Sequence, residues 1–167
     1  MICLSGQHEM TEDFSGFRNF FTLNFIAKPI YNAYILASKL GESLLDCRKD
    51  NENLFVLPTQ TSPGSYSVLI SYSSEHFEED LPDVKETLVF PESIAGKTVT
   101  VWRIDRDTAN PYRLYQKLGM TNPTPDDLRL LREEGRLKPP LTYIADDNPA
   151  ISIPLSANAV CLVTVTD

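Results

Sequence analysis

VWRIDRDTANPYRLYQKLGMTNPTPDDLRLLREEGRL, residues 101–137, decides how the rest of the chain is read. It passes from strand-like sequence, without a turn signal, into two short helices. Asn110-Pro111 opens the first helix, Tyr112, Tyr115 and Leu118 lie along one side of it, and Gly119 is a natural stop. Thr124 is placed to cap the second, Pro125 fits its first position, and Asp126 and Asp127 put negative charge where the helix dipole favours it. Leu128 and Leu131 share one face of that helix. Pro139, Pro140 and the run Asp146-Asp147-Asn148-Pro149 then lead back to strand-like sequence, so the segment is a helical excursion from a sheet.

Strand patterns flank it on both sides. Upstream, Leu54 to Leu57 is short and apolar on both parities, and Tyr66, Val68, Ile70 and Tyr72 alternate with Ser65, Ser67, Leu69 and Ser71. Thr61-Ser62-Pro63-Gly64 supplies the turn between these two. Val84 to Phe90 is a third strand. Lys97 to Asp105 is a fourth, whose apolar residues change parity from Val99 and Val101 to Trp102 and Ile104, which implies a bulge or burial on both sides. Downstream, Ile151, Ile153 and Leu155 alternate, with Pro154 marking an edge or a bulge, and Ala159 to Thr166 closes the chain. Short strands joined by Pro, Gly and Asn turns predict a mainly β fold, an antiparallel β-sandwich with a two-helix insertion before its last two strands.

Ahead of the strands, Pro29 begins a helix in which Ile30, Ala33, Tyr34, Ala37 and Leu40 recur at i, i+3 and i+4 spacing, ended by Gly41. That stripe is expected to fold against the sandwich or to pair with another copy. The polar run from Asp46 to Asn53 marks a boundary. The 167 residues are 42% hydrophobic and 10% aromatic, enough for a packed core. Fifteen basic against 23 acidic residues, net charge −8, argue against nucleic acid, because phosphate binding needs clustered Lys and Arg. Cys3, Cys47 and Cys161 lack any C-x-x-C spacing, so neither a zinc site nor a disulfide framework is suggested. Met1 to Leu4 is too short for a signal-peptide core, and no run reaches the ~18 to 20 apolar residues of a membrane span, so a cytoplasmic protein with no membrane partner is expected.

Arg103, Ile104, Asp105, Asn110, Pro111, Tyr112, Gly119, Pro123, Thr124, Pro125, Leu128, Leu131, Gly135 and Leu137 together carry a resemblance. The run RID…NPY…G…NPTP…LR…G.L resembles the C-terminal region of glycoside hydrolase family 39, the β-xylosidases and α-L-iduronidases. Residues 16–45, GFRNFFTLNFIAKPIYNAYILASKLGESLL, are similar to the end of that family's (β/α)8 catalytic barrel. The resemblance implies that residues 1–46 are the remnant of the last barrel unit, with the N-terminal helix as its final helix. It implies that residues 47–167 are an accessory β-sandwich with a helical insertion at 106–147. It also implies an open sheet edge, since the family sandwich borrows a strand from the segment before the barrel.

A retaining glycosidase needs two carboxyl groups about 5 to 5.5 Å apart. The resemblance puts both glutamates on barrel strands that precede residue 1, and a full barrel takes roughly 250 residues. The expectation is therefore a chain with no catalytic residues and no cofactor, whose partner is the parent's barrel or a second copy. His8, Glu9, Glu12 and Arg18 are candidate remnants of the substrate cleft, the alternative being solvated loop residues. His8 and Glu12 have i, i+4 spacing but no third ligand follows, so no metal is assigned. His76 lies in the acidic run 75–80, which lacks the spacing of a calcium loop, and Asp105 with Asp107 and Asn110 is expected to be a structural junction in which Asp105 pairs with Arg103 or Arg106, or caps the following helix. Trp102, Tyr66 and Tyr72 are candidate stacking rings for xylo-oligosaccharides in a second reading, an autonomous carbohydrate-binding module, although the parity Trp102 shares with Ile104 favours core packing.

Overall fold

A computed structural model describes residues 12–16, 19–74, 76, 81–119 and 123–167. The chain is mainly β, with 36% of residues in strands against 18% in helices. In order it forms α1 (Pro29–Ala37), β1 (Ser43–Leu44), β2 (Leu54–Ser62), β3 (Ser65–Tyr72), β4 (Val84–Val89), β5 (Thr98–Ile104), α2 (Pro111–Leu118), α3 (Pro125–Glu134), β6 (Leu141–Ile144), β7 (Ala150–Leu155) and β8 (Ala159–Thr166). Six strands make one sheet in the order β1-β2-β3-β8-β5-β6, and β4 and β7 make a two-stranded second sheet. Every pairing is antiparallel.

The main core lies between the two sheets. Tyr66, Val68, Ile70 and Tyr72 of β3, the alternating set read from the sequence, face it together with Cys161, Val163 and Val165 of β8 and Ile151, Ile153 and Leu155 of β7. Each fully buried aliphatic side chain there contributes about 1.5 to 3 kcal/mol through removal from water. On the opposite face of the large sheet, Ile104, Leu162 and Ala109 form a second cluster with Leu36 of α1. The parity change in β5 is therefore burial on both sides and not a bulge: Val99 and Val101 face the first core, Trp102 and Ile104 the second, and the register with β8 is unbroken.

β2 runs five residues beyond Leu57. Pro58 is accommodated because its carbonyl accepts from Leu45 N at 3.0 Å, which aims its backbone away from β3, so the missing N–H removes no bond to that strand. Ser62 then pairs with Ser65, and Pro63 followed by Gly64 at φ +78° has the residue order of a type II turn. Two strands went unforeseen. β1 spans two residues, Ser43–Leu44, and extends the large sheet beyond β2. β6 lies inside the segment read as a helical insertion and pairs with β5.

The helix α1 corrects the expected stripe. It ends at Ala37 with Ser38 as its cap, before Leu40 and Gly41. Its buried residues are Leu36 and Asn32, with Ala33 and Leu40 packed beside Leu36, while Ile30 and Tyr34 are 47% and 48% exposed. Spacing alone grouped these apolar residues on one face, but the sheet takes only the side centred on Leu36. Asn32 is buried because its Nδ2 donates to the carbonyl of Gly135 at the end of α3, at 2.8 Å. Gly135 itself is required by close approach, since a Cβ there would stand 2.7 Å from the Ala27 carbonyl oxygen.

Candidate functional site

The motif at the end of β5 builds a junction. Asp105 N donates to the Thr108 carbonyl and Asp105 Oδ1 accepts from Asp107 N at 2.8 Å, folding the chain back after the strand. Arg103 Nε stands 3.8 Å from Asp105 Oδ2, the expected pairing, and Arg103 Nη2 donates to the Pro154 carbonyl at 2.7 Å, which ties the large sheet to β7. Arg106 turns instead to Asp83 and Asp107. Asn110 Oδ1 accepts from Tyr112 N, Pro111 fills the first position of α2, and Gly119 closes it in the left-handed conformation. Thr124 and Asp127 form a complete capping box on α3, and the Thr124 hydroxyl and backbone bonds hold the Asp127 carboxyl below its usual range. Arg103, Asp105, Asn110, Pro111, Tyr112, Thr124 and Pro125 thus position backbone.

The aromatic rings divide. Tyr66 and Tyr72 are 4% and 2% exposed and lie inside the sandwich, a burial that weighs against their stacking on a sugar. Alternation of Tyr with Ser in β3 does not distinguish a buried ring from a presented one. The Tyr66 hydroxyl donates to Glu92 Oε1 at 2.5 Å, and that bond, with burial and the carboxylate charge, pushes its pKa up to about 12. The Tyr72 hydroxyl donates to the Pro82 carbonyl. Trp102 is half-buried in the cluster beneath α1, with Lys39 Nζ 5.4 Å from its ring centroid.

Exposed apolar surface gathers instead around α1 and the loop before it. Asp13 holds that loop through Asn24 N and Asn24 Nδ2, at 2.8 and 2.6 Å, and Arg132 of α3 donates twice to the Asn24 carbonyl. Phe20 packs against Tyr31 and Tyr34, and Phe21 against Tyr31. The loop presents Phe25 at 65% exposure, next in the chain to α1 with its outward Ile30 and Tyr34. These contacts were not legible in the segment, which has no periodicity.

A cleft of about 680 Å³ opens between β4 and the segment 45–50, floored by Val56, Val68 and Ile70. Its inward carboxylate, Glu86, accepts from Asn51 Nδ2 at 2.9 Å. His8, Glu9 and Arg18, the proposed cleft remnants, lie outside the described residues, and Glu12 is exposed. His76 is exposed, and the rest of the acidic run 75–80 lies outside the described residues. Among the described residues no group of three His, Cys, Asp or Glu side chains is placed to hold a metal ion, and no helix is long and apolar enough to cross a membrane.

No family model matches the sequence, and no curated protein matches it significantly. Solved structures do match the fold. A monomeric β-xylosidase from Caulobacter crescentus superposes with a TM-score of 0.74 at 17% identity, covering 94% of this chain and 34% of its own. A family 39 enzyme from Xanthomonas axonopodis pv. citri gives 0.65 at 16%, covering 89% and 32%. A bacterial orthologue of human α-L-iduronidase gives 0.62 at 19%, covering 84% and 27%. The fold is that of the C-terminal part of family 39 glycosidases. The chain spans about a third of the length of these family 39 structures.

Proposed function

We propose that this chain is a non-catalytic accessory domain of a family 39-like glycosidase, a sandwich that braces a (β/α)8 barrel through the outer side of α1 and the aromatic loop before it. Residues 1–46 are then the barrel's closing unit and residues 47–167 the sandwich, with β1 reaching across that boundary. The parent is a retaining β-xylosidase-type enzyme, cytoplasmic, whose two carboxylates and sugar specificity reside in the barrel. The observation that carries this is the division of α1. One side is locked to the sandwich by Leu36 and Asn32, and the other presents Ile30 and Tyr34 about half exposed, beside a loop presenting Phe25. Contiguous apolar surface left outside a finished core marks a contact site.

Two measurements on the pure 167-residue chain test it together. An aryl β-xyloside should not be hydrolysed, and calorimetric titration with xylo-oligosaccharides should give no heat. Turnover would refute the accessory role. Heat that disappears in a folded Trp102→Ala variant would instead favour the autonomous glycan-binding module, a reading weakened by the burial of Tyr66 and Tyr72.

A further inference from the structure

β6 is an edge strand with no charge in it. Its four residues, Leu141, Thr142, Tyr143 and Ile144, are all exposed, and Leu141 and Ile144 are 65% and 63% so. Natural sheets blunt such edges with charges or bulges, and β6 has neither within its span. Its backbone polarity follows from the ladder with β5. Ala145 N donates to the Lys97 carbonyl at 2.8 Å, and antiparallel pairs alternate, so Tyr143 and Leu141 bond inward to Val99 and Val101. Thr142 and Ile144 therefore aim their N–H and C=O groups away from the sheet.

The flanks of the strand are oppositely charged. Arg136 and Lys138 precede it, and Asp146 and Asp147 follow it. Lys138 also reaches Glu134 of α3 at 3.0 Å, while Arg136 and Asp147 are exposed. Two copies of such a strand in antiparallel array set the basic flank of one against the acidic flank of the other, twice.

We propose that β6 is a self-association edge, at which two copies of this chain join their large sheets about a two-fold axis through Thr142. In that register Leu141 lies opposite Tyr143 of the second copy on the same face, and Lys138 lies opposite Asp146. Thr142 exchanges both of its bonds with its counterpart. Ile144 N donates to the Pro140 carbonyl of the other copy, a pairing in which proline's missing N–H removes only the reciprocal bond. About four hydrogen bonds cross the seam, one pair for each outward-facing residue type. A strand this short buries well under the ~1,200 Å² of a stable complex, so the dissociation constant falls at about 10⁻⁴ to 10⁻³ M.

Sedimentation velocity on the full chain tests this, from about 10 μM to about 1 mM near physiological salt, where flank charges are screened beyond ~8 Å. The weight-average coefficient should rise with concentration. Thr142→Pro removes an outward N–H and no backbone bond to β5, and of the side-chain bonds only the exposed 3.4 Å contact of the Thr142 hydroxyl with Thr100 Oγ1, so it should hold the chain monomeric throughout and still folded, with at most a small shift in its melting curve. Asp147→Lys should weaken association several-fold, and Arg136→Glu added to it should restore it. These two surface substitutions keep the test decisive if the proline variant unfolds. A chain that stays monomeric to about 1 mM, or a folded Thr142→Pro variant that still associates, overturns the proposal. So does association abolished by Tyr34→Asp, which would place the contact on α1.

Discussion

Asn32→Ala is the substitution that asks whether α1 belongs to the cooperative fold of the sandwich. Asn32 is 1% exposed, and its Nδ2 donates at 2.8 Å to the Gly135 carbonyl, 103 residues away in sequence. Truncation removes a net contribution of about 0.5 to 1.5 kcal/mol, and the buried Gly135 oxygen that loses a donor adds part of a penalty of about 1 to 3 kcal/mol. A total near 2 kcal/mol lowers Tm by about 4 to 8 °C in a chain of this size. Far-UV circular dichroism on heating, with urea titration for ΔG, reads the loss. Ile30→Ala, on the exposed side of the same helix, should stay within ~0.5 kcal/mol of the parent chain. A variant that melts with the parent refutes the tie between α1 and α3. Two separate transitions in the unsubstituted chain would show α1 to be a loosely attached remnant.

Gly135→Ala should also destabilise, by about 1 to 3 kcal/mol, because its Cβ meets the Ala27 carbonyl oxygen at 2.7 Å and that oxygen belongs to backbone. Tyr66 should be among the last tyrosines to ionise. Its pKa is raised to about 12, so its contribution to stability is complete below about pH 10, the unfolded value, and is lost as pH rises through about 12. Phenolate absorbance during a pH titration checks this, with Tyr66→Phe removing the late step. Cys47 should react with a thiol reagent in the native chain while Cys161 does not, since Cys47 is exposed and burial both shields the Cys161 thiol and raises its pKa. Mass mapping of the labelled peptides distinguishes them.

Sequence legibility followed how local each signal was. Asn110-Pro111, Gly119 and Thr124-Pro125 with Asp127 act within one helical turn, and the caps appear where they were placed. The β3 and β7 alternations were equally clear, because each strand has a single buried face set against the second sheet, and Pro154 lies in a two-stranded layer as an edge proline should. β1 and β6 escaped because two and four residues carry no period, and Pro139-Pro140 ahead of β6 reads as a stop. The face of α1 was misassigned for another reason. Which of its apolar residues is covered depends on contacts to Ile104, Leu162 and Gly135, all more than sixty positions away. An asparagine in the covered row is invisible to a hydrophobic pattern. The same limit applies to the aromatic rings, whose fate depended on which layer lay above β3.

The single tryptophan of the chain, Trp102, sits at the seam between α1 and the large sheet, under Lys39, while the seven tyrosines include Tyr66 and Tyr72 in the other core. The molecule thereby carries its own optical gauge. Indole emission reports the seating of the helix, and the late ionisation of Tyr66 reports the core between the sheets. Any event that lifts α1 away registers as a red shift before the interior opens, with no dye or label required.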